Sequence, residues 1–594
     1  MTGKQNRFYV LCGIAVLVVV IYTIRLAYLQ LGPHDYSVNA DNNAFFNNVL
    51  YPSRGLIYDR NGELLVYNQA AYDVMVVMRE VKDLDTLDFC NTLGITRRQF
   101  DNRMMLIKDT RKNPGYSSYT QQLFMSQIPT EEYSVLQEKL FRFKGFSVRK
   151  RMVRKYTHGI GGHILGDVAE VSFADIEKDD YYRAGDYIGK QGVERSYEKE
   201  LRGEKGVEVL LRDAQGHLLG SYQNGERDVV PSPGKDLTLS IDCELQAFGE
   251  RIMSGKMGSI VAIEPETGEI LCMVSAPSYD PRGMTHKGRG MRIMQMSKDP
   301  RHPLLNRAVS GAYPPGSTFK PAQALVLLQE RVINSVTSYP CTSGFNYKGM
   351  KVGCHYHPSP LNVTSALATS CNSFFCWGTY HMLGSRSRYP SLDDAMNRWR
   401  DYMVSMGFGY RLGVDLPGEV RGMIPNAEYY NKHYPNWNPL TVISISIGQG
   451  EVALTPLQIA NLGATIANRG YYITPHIVKR VHGGHLADSL LTCHSTMVDQ
   501  NYYDLVVSGM RQAVVSGTCK LANNPAFEVC GKTGTAQNRG IDHSVFVGFA
   551  PRRNPKIAIS VFVENGGQGA TMAVPLARQM IDKYMEIIKR KEKK

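Results

Sequence analysis

Gly311-Ala312-Tyr313-Pro314-Pro315-Gly316-Ser317-Thr318-Phe319-Lys320 is the stretch from which the rest of the chain is read. Pro314, Pro315 and Gly316 do not fit inside a helix, whereas the residues after Pro321 are rich in Ala, Leu and Gln. The pattern predicts a helix from Ser317 to about Glu330, with Ser317 at its mouth. Ser317 and Lys320 are three apart and so share one helical face. A serine hydroxyl becomes nucleophilic when a neighbour removes its proton, and a lysine amine does this once desolvation and nearby cations lower its pKa. The pair alone is a weak signal: about two chance copies are expected in a chain this long, and taken by itself it is better explained by a capping serine and a surface lysine.

Two further stretches raise its weight. Ser370-Cys371-Asn372 lies in Asn362–Phe375, which reads as a helix or a helix and loop. Gly531-Lys532-Thr533-Gly534-Thr535-Ala536 precedes two strand patterns, Ser544–Ala550 and Lys556–Val563. Lys532 is therefore expected on a strand edge, with Gly534 giving room for a substrate backbone. Ser-x-x-Lys, Ser-x-Asn and Lys-Thr-Gly, in that order, form one catalytic set. On these motifs the chain resembles the class B penicillin-binding proteins over nearly its whole length. Gly-x-Tyr-Pro-Pro-Gly-Ser-Thr-Phe-Lys-Pro is most similar to their elongation-type branch.

The resemblance implies an α/β transpeptidase fold of the serine β-lactamase type, a non-catalytic pedestal before it, and one transmembrane helix. It also implies a peptidoglycan D,D-transpeptidase of the serine carboxypeptidase/transpeptidase class that penicillin acylates. Ser317 would be the nucleophile and Lys320 the acylation base. Ser370 would relay protons, Asn372 would hold Lys320 and the substrate amide, and Lys532, Thr533 and Thr535 would bind the substrate carboxylate. The backbone N–H groups of Ser317 and Thr535 would form the oxyanion hole. The implied partners are D-Ala-D-Ala stem peptides, β-lactams as inhibitors, a polytopic SEDS-type glycosyltransferase and other membrane proteins of the elongation complex. No cofactor is required for the chemistry. A division-type transpeptidase and a membrane-anchored β-lactam sensor or β-lactamase-like protein are the rival readings.

The remaining sequence bounds these expectations. A chain of 594 residues with 43% apolar content suits two to four domains. Its net charge of +13 is scattered, with no nucleic-acid motif, which favours an anionic envelope or membrane surface over nucleic acid. Phe8–Ile24 is apolar, with Lys4 and Arg7 before it, and Leu26–Leu31 offers no good small-x-small cleavage site. A single spanning helix with a cytoplasmic N-terminus and an exported body is expected. Expected boundaries are a cytoplasmic segment 1–7, an anchor 8–27, a pedestal 28–232 and a transpeptidase domain 233–594.

Within the pedestal, Tyr51–Asn68 reads as two strands around an Asn61-Gly62 turn. Leu84–Phe143 reads as helical, with Thr130 as an N-cap before Glu131 and Glu132. The family's pedestal signatures are matched at Arg54–Gly62 and at Gly189-Lys-Gln-Gly-Val-Glu194. No glycosyltransferase carboxylate motif is present. Lys589–Lys594 reads as a solvated basic tail.

One cluster falls outside the catalytic set. Cys341, Cys354, His355, His357 and Cys371 lie between Ser317 and Asn372. Three thiolates and one imidazole, Cys341, Cys354, His357 and Cys371, suit a structural Zn2+. His357 is preferred to His355 because two residues after Cys354 leave room for a chelating turn. A Cys341–Cys354 disulfide and plain buried thiols are the alternatives.

Overall fold

The computed structural model describes residues 2–31, 45–111, 113, 116–183, 185–212, 218–284 and 288–593. The chain divides into two compact units, 1–53 with 203–234, and 54–202 with 235–594. The expected start of the pedestal, at 28 and through 32–44, lies partly outside the described residues.

In the first unit, Thr2–Leu31 is one helix. Its segment Arg7–Tyr28, 22 residues with none of it buried, is long and apolar enough to cross a membrane. A three-stranded sheet follows in the order Phe45–Leu50, Gly206–Arg212, Leu218–Ser221, with Phe45 opposite Leu211 and Leu50 opposite Gly206.

The second unit holds the chemistry. Its core is a five-stranded antiparallel sheet in the order Ile270–Ala276, Gly258–Ile263, Ile557–Val563, His543–Ala550, Cys530–Ala536. The first three strands are buried along their whole length, so both faces must be covered. The helix Pro456–Ala467 packs on one group of strands and is buried at every position. Its start is set by a capping box between Thr455 and Gln458. Cys243–Ile252 and Ala573–Glu592 also pack on the sheet. Strands from before Ser317 and after Lys532 thus share one sheet, with helices between them in sequence, as an α/β fold with a helical insertion requires.

A second sheet has six strands. Val478–Val481, Leu237–Leu239, Ile57–Tyr58, Leu64–Val76 and Gln122–Ile128 are neighbours in that order, and Phe146–Tyr156 also pairs with Leu64–Val76. It therefore carries strands from both sides of residue 233. The Asn61-Gly62 turn is held by Asp59, whose Oδ1 accepts N–H bonds from Asn61 at 2.7 Å and Glu63 at 2.8 Å.

The two pedestal signatures meet in space. Glu194 is fully buried, and its carboxylate accepts from Arg54 Nη2 at 2.7 Å and from Arg154 Nε at 2.6 Å. Arg54 also bonds Glu198. A buried carboxylate is tolerated only where cations and hydrogen bonds meet it, and leaving one partner alone typically costs about 3–5 kcal/mol.

Three expectations are corrected. Leu84–Phe143 is not helical throughout: the strand Gln122–Ile128 interrupts it, because pairing with Leu64–Val76 outweighs the helix preference of its Gln, Leu and Met residues. Thr130 is the first helical residue, and Pro129 takes the cap position without a side-chain bond. The basic C-terminus is exposed, as expected, but it is helical through residue 592 rather than a tail. It is the last turn of Ala573–Glu592, where Lys591 bonds Asn61 Oδ1 at 2.6 Å and Asp242 Oδ2 at 3.0 Å, and Arg590 pairs with Glu244. Cations at a helix C-terminus meet the acidic N-terminus of Cys243–Ile252, an arrangement both helix dipoles favour.

Candidate active site

Ser317 sits on a tight turn rather than at the mouth of an α-helix. Gly316–Phe319 is 3-10, and the α-helix Lys320–Gln329 follows directly. The turn needs Gly316, which has a φ of 55° and whose added Cβ would lie 2.8 Å from Thr535 O. Gly534 serves the same contact from the other side: a Cβ there would lie 2.9 Å from Pro315 O. The room it makes lets the serine turn come close to the strand. Strand Cys530–Ala536 is the edge strand of its sheet, as expected for Lys532.

Ser370 breaks its segment in two. Val363–Thr369 ends on Ser370, which is left-handed at φ 61° and ψ 38°, and Cys371 then caps Asn372–Gly384. The break turns the Ser370 hydroxyl between two amines. Lys532 Nζ donates to Ser370 Oγ at 2.8 Å and to Thr533 O at 3.0 Å. Lys320 Nζ lies 3.3 Å from the same hydroxyl, donates to Ser370 O at 2.7 Å, and bonds Asn372 Oδ1 at 2.5 Å. Asn372 Nδ2 in turn donates to Gly353 O at 2.6 Å.

Both lysines are completely buried, which disfavours their charged forms. Burial pushes Lys320 down to about 8, against a smaller opposing effect of the Cys354, Cys371 and Cys376 thiols. Burial, reinforced by the charge on Lys320, pushes Lys532 down to about 7. Two amines so placed resist being charged together. The Ser317 hydroxyl makes no hydrogen bond among the described residues and opens into the cleft.

The cleft is about 770 Å³, and Ser317, Ser370, Asn372, Thr533 and Thr535 all line it. Its far walls include Ser516, Gly517 and Thr518, which no motif indicated. Thr533 Oγ1 donates to Thr518 Oγ1 at 2.8 Å. The available signal was the run of small residues after the helix Tyr503–Val515.

The cysteine cluster adjoins this site. One ligand atom from each of Cys341, Cys354, His357 and Cys371 lies within 4.8 Å of the others. All eleven cysteines are free. Cys354 Sγ is 3.9 Å from Cys371 Sγ and accepts N–H bonds from Asn372 at 3.0 Å and Ser373 at 3.3 Å. The Cys371 thiol and these backbone N–H groups hold the Cys354 thiol down to about 4, while the same partnership and burial push Cys371 up. His357 Nδ1 bonds Pro358 O at 2.8 Å, and its buried Nε2 has no hydrogen-bond partner. Such a nitrogen beside a thiolate and two thiols fits a metal ligand whose other ring nitrogen is oriented by a carbonyl.

The chain is similar to known proteins over most of its length. The penicillin binding protein transpeptidase domain matches residues 258–582, and the penicillin-binding protein dimerisation domain matches 49–239. The peptidoglycan D,D-transpeptidase MrdA of Acinetobacter baumannii is 32% identical over 98% of this chain and 88% of its own length. Among solved structures, PBP2 of Helicobacter pylori, in complex with MreC, superposes with a TM-score of 0.77 at 25% identity, covering 91% of this chain and 99% of that one. A chain of a peptidoglycan synthase complex that couples polymerization and crosslinking superposes at 0.71 with 26% identity, covering 97% and 98%.

Proposed function

The chain belongs to the penicillin-binding protein transpeptidases, and on that premise we propose that it is an elongation-type peptidoglycan D,D-transpeptidase acting through an acyl-serine at Ser317. The observation that carries the residue assignment is the linked set Lys320–Ser370–Lys532 beside the open hydroxyl of Ser317.

The D-Ala-D-Ala end of a stem peptide lies with its carboxylate toward Lys532, Thr533 and Thr535. Lys320, whose burial makes its own proton easier to lose, takes the Ser317 proton in its neutral form as Oγ attacks the penultimate D-Ala carbonyl. The developing oxyanion is met by the backbone N–H groups of Ser317 and Thr535. The C–N bond breaks, the terminal D-Ala leaves as an amine after receiving a proton, and Ser370 passes protons between the two lysines and the leaving nitrogen. An amine on a neighbouring strand then attacks the ester. Its C–N bond forms, the ester C–O bond breaks, and Ser317 recovers its proton. Penicillin mimics D-Ala-D-Ala and stops after the first step. Mass mapping of the penicillin adduct to the peptide that contains Ser317 tests the assignment.

Cys341, Cys354, His357 and Cys371 would hold a structural Zn2+ in a closed set of three thiolates and one imidazole. With four protein ligands there is no open position for water, so the ion supplies stability to the 341–371 region and no step of the reaction.

The helix Thr2–Leu31 anchors the protein in the cytoplasmic membrane, with the body on the extracytoplasmic side. Lys4 and Arg7 before the apolar span support this orientation. Protease added to spheroplasts is expected to digest everything after about Leu31; complete protection would refute the orientation. The chain has no glycosyltransferase motif, so glycan must come from a partner, and a SEDS-type polytopic glycosyltransferase fits the elongation role. Replacing Phe8–Ile24 with an unrelated span is expected to weaken co-purification of that partner, and unchanged association counts against the contact.

A further inference from the structure

A second group of metal-ligating side chains lies away from the cleft. One ligand atom each from Glu63, His158 and Cys243 falls within 4.8 Å of the others. They come from three distant stretches. Glu63 follows the Asn61-Gly62 turn, His158 follows the strand Phe146–Tyr156, and Cys243 is the first residue of the helix Cys243–Ile252. The main chain already holds these stretches together. Thr157 N donates to Leu65 O at 2.9 Å, Arg60 N to Ile241 O at 3.0 Å, and Cys243 N to Asp59 Oδ2 at 3.3 Å. The grouping is built into the contact between the hairpin at Asn61-Gly62 and that helix.

The sulfur is held where it bonds nothing. Cys243 is 6% exposed, and its thiol has no hydrogen-bond partner among the described residues. Burial pushes this thiol up to about 12, and the carboxylates of Glu63, Asp59, Asp242 and Glu244 add to the effect. Lys591 offsets Asp242, and Lys583 and Arg590 offset Glu244. Asp59 and Glu63 pair with no Lys or Arg among the described residues, so the field at the sulfur favours a cation. The other two ligands can adjust. His158 Nε2 and Glu63 Oε1 share a hydrogen bond of 2.7 Å, and their side chains are 36% and 52% exposed. A tetrahedral ion with bonds of about 2.0–2.3 Å holds its ligands about 3.5 Å apart. A small shift of two exposed side chains closes the set, with the ion replacing the proton between His158 and Glu63.

One thiolate, one imidazole and one carboxylate suit Zn2+. We propose that Glu63, His158 and Cys243 bind an exchangeable Zn2+, bridging the hairpin and the end of Phe146–Tyr156 to the helix Cys243–Ile252. Binding sends the Cys243 thiol proton to solvent, and the His158 ring binds in its neutral form. Asp59 is committed to the N–H groups of Asn61, Glu63 and Cys243, so the fourth position is left to water. Two exposed ligands and an open position let this ion leave on purification and return when zinc is supplied, unlike one enclosed by Cys341, Cys354, His357 and Cys371.

The three segments are held by main-chain bonds without the ion, so metal binding rather than melting is the readout. Zinc titration of the full-length protein in detergent, with a chromophoric chelator as competitor, counts the ions per chain and ranks their affinities. His158→Gln changes an exposed side chain and is expected to bind one zinc fewer than the wild type, or to bind that one at least about a hundredfold more weakly. Cys243→Ser should do the same, and Glu63→Gln replaces it if the buried change does not fold. Cys354→Ser should keep the ion that depends on His158, which separates the two clusters. Equal zinc binding by the wild type and His158→Gln, or loss of the His158-dependent ion in folded Cys354→Ser, would overturn the site.

Discussion

Ser317→Ala is expected to fold normally and to lose penicillin acylation altogether, a fall of about ten-thousand-fold or more in the acylation rate. The size follows from chemistry: no other hydroxyl is placed to form the ester. Ser370 Oγ also lies on the cleft wall, but it is held by Lys532 at 2.8 Å and faces Lys320 at 3.3 Å, so both amines already engage it. Stability should change by no more than about 0.5 kcal/mol, because Ser317 is half-buried and its hydroxyl has no hydrogen bond to lose. Fluorescent penicillin, gel detection and thermal melting check both halves. Retained labelling, or an adduct mapped to another residue, would remove Ser317 from the mechanism. The same labelling applied to Lys320→Ala separates nucleophile from base, since that variant keeps the hydroxyl but loses the group that takes its proton.

How far the site was legible depends on how local each feature is. Ser317 and Lys320 are three residues apart, so their placement on one short turn is written in their spacing. Lys-Thr-Gly before two apolar strand patterns marks an edge strand in the same way. The cluster of Cys341, Cys354, His357 and Cys371 was visible because three thiols and one imidazole fall within a short segment. What spacing does not carry is the meeting of distant groups. The Ser370 hydroxyl stands between two lysines because Ser370 adopts a left-handed conformation that ends one helix before Cys371 starts the next, and the residue type does not announce this. Arg54 and Glu194 were recognisable as two signatures, but their ion pair is a contact across 140 residues. The strand Gln122–Ile128 forms only because Leu64–Val76 lies beside it. Likewise, Arg590 and Lys591 look like part of a free tail until Glu244 and Asp242 are placed under them.

Protein purified without chelator is expected to contain about one zinc per chain, and Cys354→Ser to lose it together with most of the acylation rate. Cys354 is the informative ligand because it touches the catalytic segment itself. Its sulfur accepts the N–H groups of Asn372 and Ser373, the first turn of Asn372–Gly384. Asn372 Oδ1 then holds the Lys320 ammonium at 2.5 Å. Removing the sulfur frees two buried donors and the ligand loop in one change, and Asn372 loses its fixed place. A displacement of about 1 Å at a catalytic group costs about a hundredfold in rate, which sets the expected drop in penicillin acylation. Stability should fall as well, because a structural zinc site contributes binding energy to the folded state alone. A lower melting temperature is therefore expected after chelation of the wild type, with recovery on adding zinc, and no such response in the variant. Metal content and melting read the site independently of activity, so a variant that is merely misfolded is distinguished by the chelated wild type. A Cys341–Cys354 disulfide found by mass spectrometry in active protein, or zinc retained at full stoichiometry by Cys354→Ser, would rule the site out.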